Sequence, residues 1–289
     1  MKNRLNRLLA KGFFTVFFVI PLLALVQIPI FLLGAAAGSY LAISKQLPEI
    51  PELVSYKPKT VSTFYSDDGT VIGIFYRQKR FVVDLNQIPS NVINAFLAAE
   101  DSRFFEHNGV DYYGILRAMG RNVAAGRITQ GGSTITMQVT RNFLLSRERT
   151  FSRKFKEMIL ASRLENVWGK EKILHVYLNE IYLGEGCYGV EAAARGYFDK
   201  PVEHLTTAQA ALIAGLVASP ARFNPFKSEE LARQRQITVL GRMLRAGFIT
   251  ETEYEEAKTE PLVLRKAVVR PLDIAPDFTE VVRRYVIRK

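Results

Sequence analysis

The hydropathy pattern divides the chain into one long uncharged block and a larger body of short periodic segments. No charged residue occurs in residues 12–44, and residues 13–37 read FFTVFFVIPLLALVQIPIFLLGAAA. As a helix that run would reach about 37 Å, more than the roughly 30 Å hydrocarbon core of a bilayer requires. Pro21 and Pro29 would kink it, which membrane helices tolerate. Pro48, Pro51 and Pro58 then mark an extended linker. Residues 61–65 and 71–76 are β-rich and flank Ser66-Asp67-Asp68-Gly69-Thr70, a hairpin signature with Asp-Gly at its turn. Residues 80–85 predict a third strand. From Pro89 onward helical periodicity takes over, predicting helices from Ser90, over 111–123, from Thr150, and over 172–184, 192–198, 206–217, 231–244 and 251–258. Residues 262–264 again look β-like.

One helical segment has two readings. Tyr112, Leu116, Met119 and Val123 form a single stripe, while Arg117 and Arg121 stack on another face. The stripe either faces the core or dips into a bilayer, and a membrane tether favours the second.

Charge adds direction. Lys2, Arg4, Arg7 and Lys11 precede the uncharged block, and no acid appears before Glu49. The positive-inside rule then places the N-terminus in the cytoplasm and everything past residue 45 across the membrane. Ala35-Ala36-Ala37 resembles a signal-peptidase site, but the apolar run exceeds the roughly 15 residues of a signal-peptide core. The 289 residues carry 39 Lys and Arg against 28 Asp and Glu, a formal +11. A basic body tethered to a bilayer suggests anionic lipid head groups or an anionic lipid-linked substrate. Nucleic acid is the generic alternative, but export and the lack of any nucleic-acid motif set it aside. Cys187, the single cysteine, cannot form an internal disulfide. His107, His175 and His204 are too scattered to suggest zinc.

Three stretches carry candidate chemistry. Glu100 lies four residues after Phe96 and three after Leu97, so in a helix it shares their apolar face. A carboxylate there is paired or carries a raised pKa, which suits a general base. The competing reading is an acidic helix end running into a solvated loop through Glu106 and Asp111. Gln130-Gly131-Gly132-Ser133-Thr134-Ile135-Thr136-Met137-Gln138 lets backbone approach a ligand and offers polar groups at a helix start, though it is also an ordinary turn and cap. Arg153 and Lys154 precede Glu157 by four and three residues and share its side. They could be a surface ion-pair cluster. However, cations at a helix N-terminus oppose the dipole, so an anion to be held explains them better.

Taken in order, these stretches resemble the peptidoglycan glycosyltransferase domain (glycosyltransferase family 51) of class A penicillin-binding proteins and monofunctional transglycosylases. Glu100-Asp101 with Phe104, His107 and Gly109 matches the first family motif; Gly131 to Thr136 with Gln138 matches the second. Arg153-Lys154 with Glu157 matches the third, Lys172-Ile173-Leu174 through Tyr177-Leu178-Asn179 and Gly184 the fourth, and Arg222 with Asn224-Pro225 the fifth. Met137 departs from the pattern, standing where the family usually has a glutamine.

The resemblance implies a mainly α, lysozyme-like fold with a smaller membrane-facing lobe, preceded by a short β-hairpin and one N-terminal transmembrane helix. It implies polymerisation of lipid II into glycan strands, with inversion at C1 and release of undecaprenyl pyrophosphate. Glu100 matches the general base. Glu157, with Arg153 and Lys154, matches the pyrophosphate-handling site, often with a divalent cation such as magnesium on Glu157. Ser133, Thr134, Gln138, Asp101 and Asn224 fall among the substrate-binding positions, Asp101 also looking structural or supporting like His107, and Arg141 and Arg149 are further phosphate contacts. The implied organisation is a cytoplasmic tail (1–11), an anchor (12–44), a linker (45–60), the glycosyltransferase domain (61–250) and an extension (251–289). The partners are lipid II, the growing lipid-linked chain, the membrane and other cell-wall synthesis proteins, at the outer face of the cytoplasmic membrane. Ala275-Pro276-Asp277-Phe278 resembles the start of a linker to a transpeptidase, whose Ser-x-x-Lys motif is not in this sequence. A fragment of a class A protein and a monofunctional enzyme both stay open, the tail past Glu260 favouring the fragment. Two rivals remain: a lysozyme-like lytic enzyme using a cleft glutamate as acid, and a non-catalytic membrane-tethered scaffold.

Overall fold

The computed structural model describes residues 20–45, 47, 61–75, 78–127, 131–144, 151–265 and 276–288. The cytoplasmic tail, the linker prolines, Gln130, Arg149, Thr150 and Ala275 lie outside the described residues. The chain separates into two compact units, Met1–Glu49 and Ile50–Lys289. In the first, α1 (Ile20–Ser44) is a 25-residue helix that contains no charged residue and continues through Pro29. Taking described residues alone, no helix is long and apolar enough to cross a membrane. The predicted anchor begins before Ile20, and part of its length is outside the described residues.

The second unit is mainly helical with two small sheets. β1 (Ser62–Tyr65) and β2 (Val71–Phe75) form the predicted antiparallel hairpin, with Ser62 opposite Phe75. Gly69 adopts φ 81°, the conformation its Asp-Gly turn demands. The third strand shrinks to β3 (Lys79–Arg80), which pairs not with the hairpin but in parallel with β4 (Cys187–Tyr188). Asn179 is the reason. Its side-chain oxygen accepts from Val83 N at 2.9 Å and its amide donates to Val83 O at 3.0 Å, replacing the partner strand. Residues 262–264 are likewise no strand. They pair with no other strand, Val263 N turning back to Pro261 O at 3.0 Å, and Leu262 and Leu264 pack on the core.

The helices follow in order: α2 (Ser90–Glu100), α3 (Tyr112–Ala125), α4 (Ile135–Leu144), α5 (Phe151–Glu180), α6 (Val190–Phe198), α7 (Thr207–Leu216), α8 (Glu229–Arg245), α9 (Glu251–Thr259) and α10 (Pro276–Arg288). α7 is apolar all round and buried from Ala210 to Leu216, as such a helix must be. Its start is fixed by a capping box between Thr206 and Gln209. α2 and α8 pack on α7 and on each other, so the C-terminal end of α2, with Glu100, faces the last turns of α8.

α4 lies along α5. Gly169 interrupts α5 with φ 72° and ψ 169°, dihedrals closed to other residues without strain. Beside the break, Glu165 accepts from Thr136 Oγ1 at 2.6 Å and Lys170 Nζ at 2.7 Å, tying α4 to both halves of α5. α3 buries only Gly114 and Ala118; Tyr112, Leu116, Met119 and Val123 are 59–81% exposed. The stripe therefore faces outward, and the core-facing reading is excluded.

Candidate active site

Glu100 ends α2 on the face set by Phe96 and Leu97, both buried. Its Oε2 accepts a hydrogen bond from Gln138 Nε2 on α4 at 2.9 Å. Burial pushes the Glu100 carboxyl above the ordinary glutamate value. Gln138's hydrogen bond and the charges of Arg235, Arg242 and Arg141 pull the other way. The Tyr177 hydroxyl, buried near this carboxylate, is pushed well above its usual value by burial and then by the Glu100 charge. It stays neutral.

Asp101 has a different task. It is 6% exposed, and its carboxylate takes His107 Nε2 at 3.0 Å and Ile135 N at 3.0 Å. That second bond satisfies an orphan amide at the start of α4 and places a negative charge where the dipole favours it. Thr134 adds to the same junction, with Oγ1 donating to Gly109 O at 2.6 Å and accepting from Met137 N at 3.1 Å. Met137 itself is fully buried with Val110 and Ala161, so this departure from the motif points into an apolar cluster.

A cavity of about 490 Å³ opens here. Glu100, Asp101, Ser133 and Thr134 line it, together with Arg117 and Arg121 of α3 and Arg242 and Arg245 of α8. Sequence reasoning put none of these four arginines in the site. Their i, i+4 and i, i+3 spacings were visible, but helical spacing alone does not say which face meets a cavity.

The third cluster lies one side chain further on. Glu157, 1% exposed, pairs with Arg153 Nε at 3.2 Å and Lys154 Nζ at 3.0 Å. Lys154 also donates to Ser133 Oγ at 2.7 Å, so Ser133 touches both the cavity and the cationic cluster. Gln138 reaches the site through Glu100, and Arg141 through its field alone; neither lines the cavity. Asn224 is away from it, buried, its Nδ2 donating to Glu185 Oε1 at 2.5 Å and its Oδ1 accepting from Phe226 N at 2.9 Å.

The donors here build no all-protein cage for a metal, which leaves Glu157 as the carboxylate that would hold a divalent ion brought in with a phosphate. Among the described residues no three His, Cys, Asp or Glu side chains converge, and Glu157 already balances two cations. A divalent ion needs six or more oxygens. Such an ion would draw most of them from a bound phosphate, and no step below is routed through it.

A profile of the transglycosylase family matches residues 68–244. Penicillin-binding protein 1A of Aquifex aeolicus is 47% identical over 247 residues, covering 86% of this chain and 34% of that protein. Penicillin-binding protein 1A of Escherichia coli is 44% identical over 255 residues, covering 88% of this chain and 30% of that protein. The chain thus spans about a third of the length of the curated relatives it matches. A 2.6 Å crystal structure of penicillin-binding protein 1A from Haemophilus influenzae is 28% identical. It covers 81% of this chain and 25% of that one, at a TM-score of 0.45, too loose a superposition to bear on the fold. On the family match and these identities, the chain belongs to the transglycosylase family.

Proposed function

We propose that this chain is a peptidoglycan glycosyltransferase that polymerises lipid II. The observation that carries the reading is a partly buried carboxylate in an arginine-lined cavity, joined through Ser133 to a separate cationic cluster. Glu100 takes the proton from the 4-hydroxyl of the acceptor's GlcNAc. That oxygen bonds to C1 of the lipid-linked MurNAc as the bond from C1 to the pyrophosphate oxygen breaks, inverting the centre from α to β. The leaving undecaprenyl pyrophosphate already carries its charge, so cations serve it better than a proton donor. Arg153 and Lys154 supply them, and Glu157 holds the two head groups in place. A divalent cation, magnesium being the expected one, would travel on the pyrophosphate with Glu157 as its protein carboxylate. Ser133 and Thr134 line the substrate cavity, with Arg141 and Arg149 as further phosphate contacts; Asn224, bonded to Glu185 away from the cavity, would reach substrate only along an extended glycan chain.

The finer architecture belongs to the same reading. A lysozyme-like lobe carries Glu100, the outward stripe of α3 meets the bilayer, and residues 12–44 anchor the chain with residues 61–250 on the outer face. The uncharged α1 and the exposure of Tyr112, Leu116, Met119 and Val123 support this.

Incubation with lipid II and, separately, with finished peptidoglycan tests the reaction. Growth of glycan strands from lipid II is expected. Release of soluble muropeptides without chain growth would instead establish a lytic enzyme. Because the base must be ionised, activity should fall as pH drops through the raised Glu100 pKa. The acid limb of the pH–rate profile is thus expected above the ordinary glutamate value of 4.5. For Glu157→Gln, which leaves Arg153 and Lys154 without their carboxylate, kcat is expected to fall about a hundredfold. Unimpaired turnover in that variant removes Glu157 from the leaving-group role.

A further inference from the structure

Glu100 is the last residue of α2, and the carbonyls of a helix's last turn lack partners within the helix. The carbonyl of Ala99 finds a donor 143 residues downstream, where Arg242 Nη1 approaches to 2.5 Å. Arg242 sits in the last turn of α8, which is locked in place by its packing on α2 and α7. It also lines the cavity beside Glu100. Arg235, the other α8 arginine whose charge acts on Glu100, instead donates Nε to Gly215 O on α7 at 3.2 Å. Of the two, Arg242 is the one bonded to the backbone that carries Glu100.

We propose that Arg242 is a positioning residue for Glu100. It clamps the last turn of α2 through the Ala99 carbonyl and keeps a permanent positive charge beside the carboxylate that receives the proton. This rests on reading Glu100 as the base. The clamp answers a specific need, because a proton acceptor on a helix's final residue sits where helices fray. The charge answers another. Burial works against ionisation of Glu100, and the guanidinium opposes that effect. Gln138 and Arg141 from α4 and Arg235 and Arg242 from α8 act on Glu100, the Glu100 charge acts on Tyr177 of α5, and Asp101, Asp111, Arg117, Arg121 and Arg245 line the same cavity. Burial and the Glu100 charge keep Tyr177 neutral across the acid limb, so the test reads how that limb moves when Arg242 is changed.

The two contributions separate by substitution. Arg242→Met removes both the charge and the bond, whereas Arg242→Lys keeps the charge and loses the planar guanidinium that reaches the carbonyl. The experiment follows lipid II polymerisation by the full chain in detergent, against pH, for wild type, Arg242→Met, Arg242→Lys and Glu100→Gln. For Arg242→Met the acid limb of kcat should move up by about half to one pH unit. Its plateau kcat should fall about tenfold, with KM within about twofold of wild type. For Arg242→Lys the limb should stay in place while kcat falls severalfold. A wild-type limb in folded Arg242→Met, or a loss confined to KM, overturns the proposal, and the KM result would make Arg242 a substrate contact. Should circular dichroism show Arg242→Met unfolded, Arg242→Lys decides. A severalfold loss of kcat at constant KM supports the clamp, and wild-type kcat refutes it. The Glu100→Gln arm keeps the two readings apart. Full activity there removes the base itself, whereas an inactive Glu100→Gln beside an unmoved Arg242→Met limb removes only the role of Arg242.

Discussion

Glu100→Gln is expected to lower lipid II polymerisation about a thousandfold while leaving the fold intact. The substitution keeps the shape and the reach of the side chain, so Gln138 on α4 retains a partner oxygen for the bond it now makes at 2.9 Å. What disappears is the basic lone pair that takes the acceptor sugar's proton as C1 is attacked. Two stability effects oppose each other. An amide is cheaper than a carboxylate to bury, but Arg141, Arg235 and Arg242 lose the negative charge they face. The midpoint of thermal unfolding should therefore shift little. The variant should still bind lipid II with KM near the wild-type value, because the cavity arginines and the Arg153-Lys154 cluster are untouched. Turnover above about a tenth of wild type would mean that the proton leaves by another route.

Much of this arrangement was legible in the sequence, and the failures have specific causes. Period located the hairpin and most of the helices, although the segments from Thr150 and over 172–184 prove to be one element broken at Gly169 and α10 was not predicted. The face of Glu100 followed from Phe96 and Leu97, whose burial the structure bears out. The third strand failed because its backbone is served by the Asn179 side chain, 96 residues from Val83, and no local pattern encodes so distant a partner. The arginines of α3 and α8 were missed for a related reason. Periodicity tells which residues share a face, whereas only the packing of α8 on α2 tells that Arg242 meets Glu100's helix. Asp101 shows the reverse. Adjacent to Glu100 in sequence, it turns away to hold His107 and the first amide of α4, so two neighbouring acids serve chemistry and architecture separately. The loop between α2 and α3 is thus the point where a local error would propagate into the site.

That loop sets the second large effect. Gly109→Ala is expected to destabilise the protein by about 3 kcal/mol or more, combining a left-handed backbone with overpacking. Gly109 adopts φ 81°, and a Cβ there would lie 2.6 Å from Ala161 C and Ser162 N, backbone atoms of α5. Backbone cannot rotate out of the way as a side chain can. α5 cannot retreat either, since Leu160, Ala161 and Leu164 are fully buried on its inner face. The loop must then lift, pulling the Gly109 carbonyl from Thr134 Oγ1 and straining the junction where Asp101 holds Ile135 N. At about 2–4 °C per kcal/mol for a body of this size, the unfolding midpoint should drop by roughly 6–12 °C. Gly126→Ala is the internal control. Gly126 has φ 61° at the end of α3, but nothing lies within 4 Å of its would-be Cβ, so only the backbone cost of about 1 kcal/mol applies. If Gly109→Ala melts no lower than Gly126→Ala, the loop is not pressed against α5. A clearly larger loss, with polymerisation falling in step even below the unfolding transition, is the expected signature of a glycine that seats the catalytic loop.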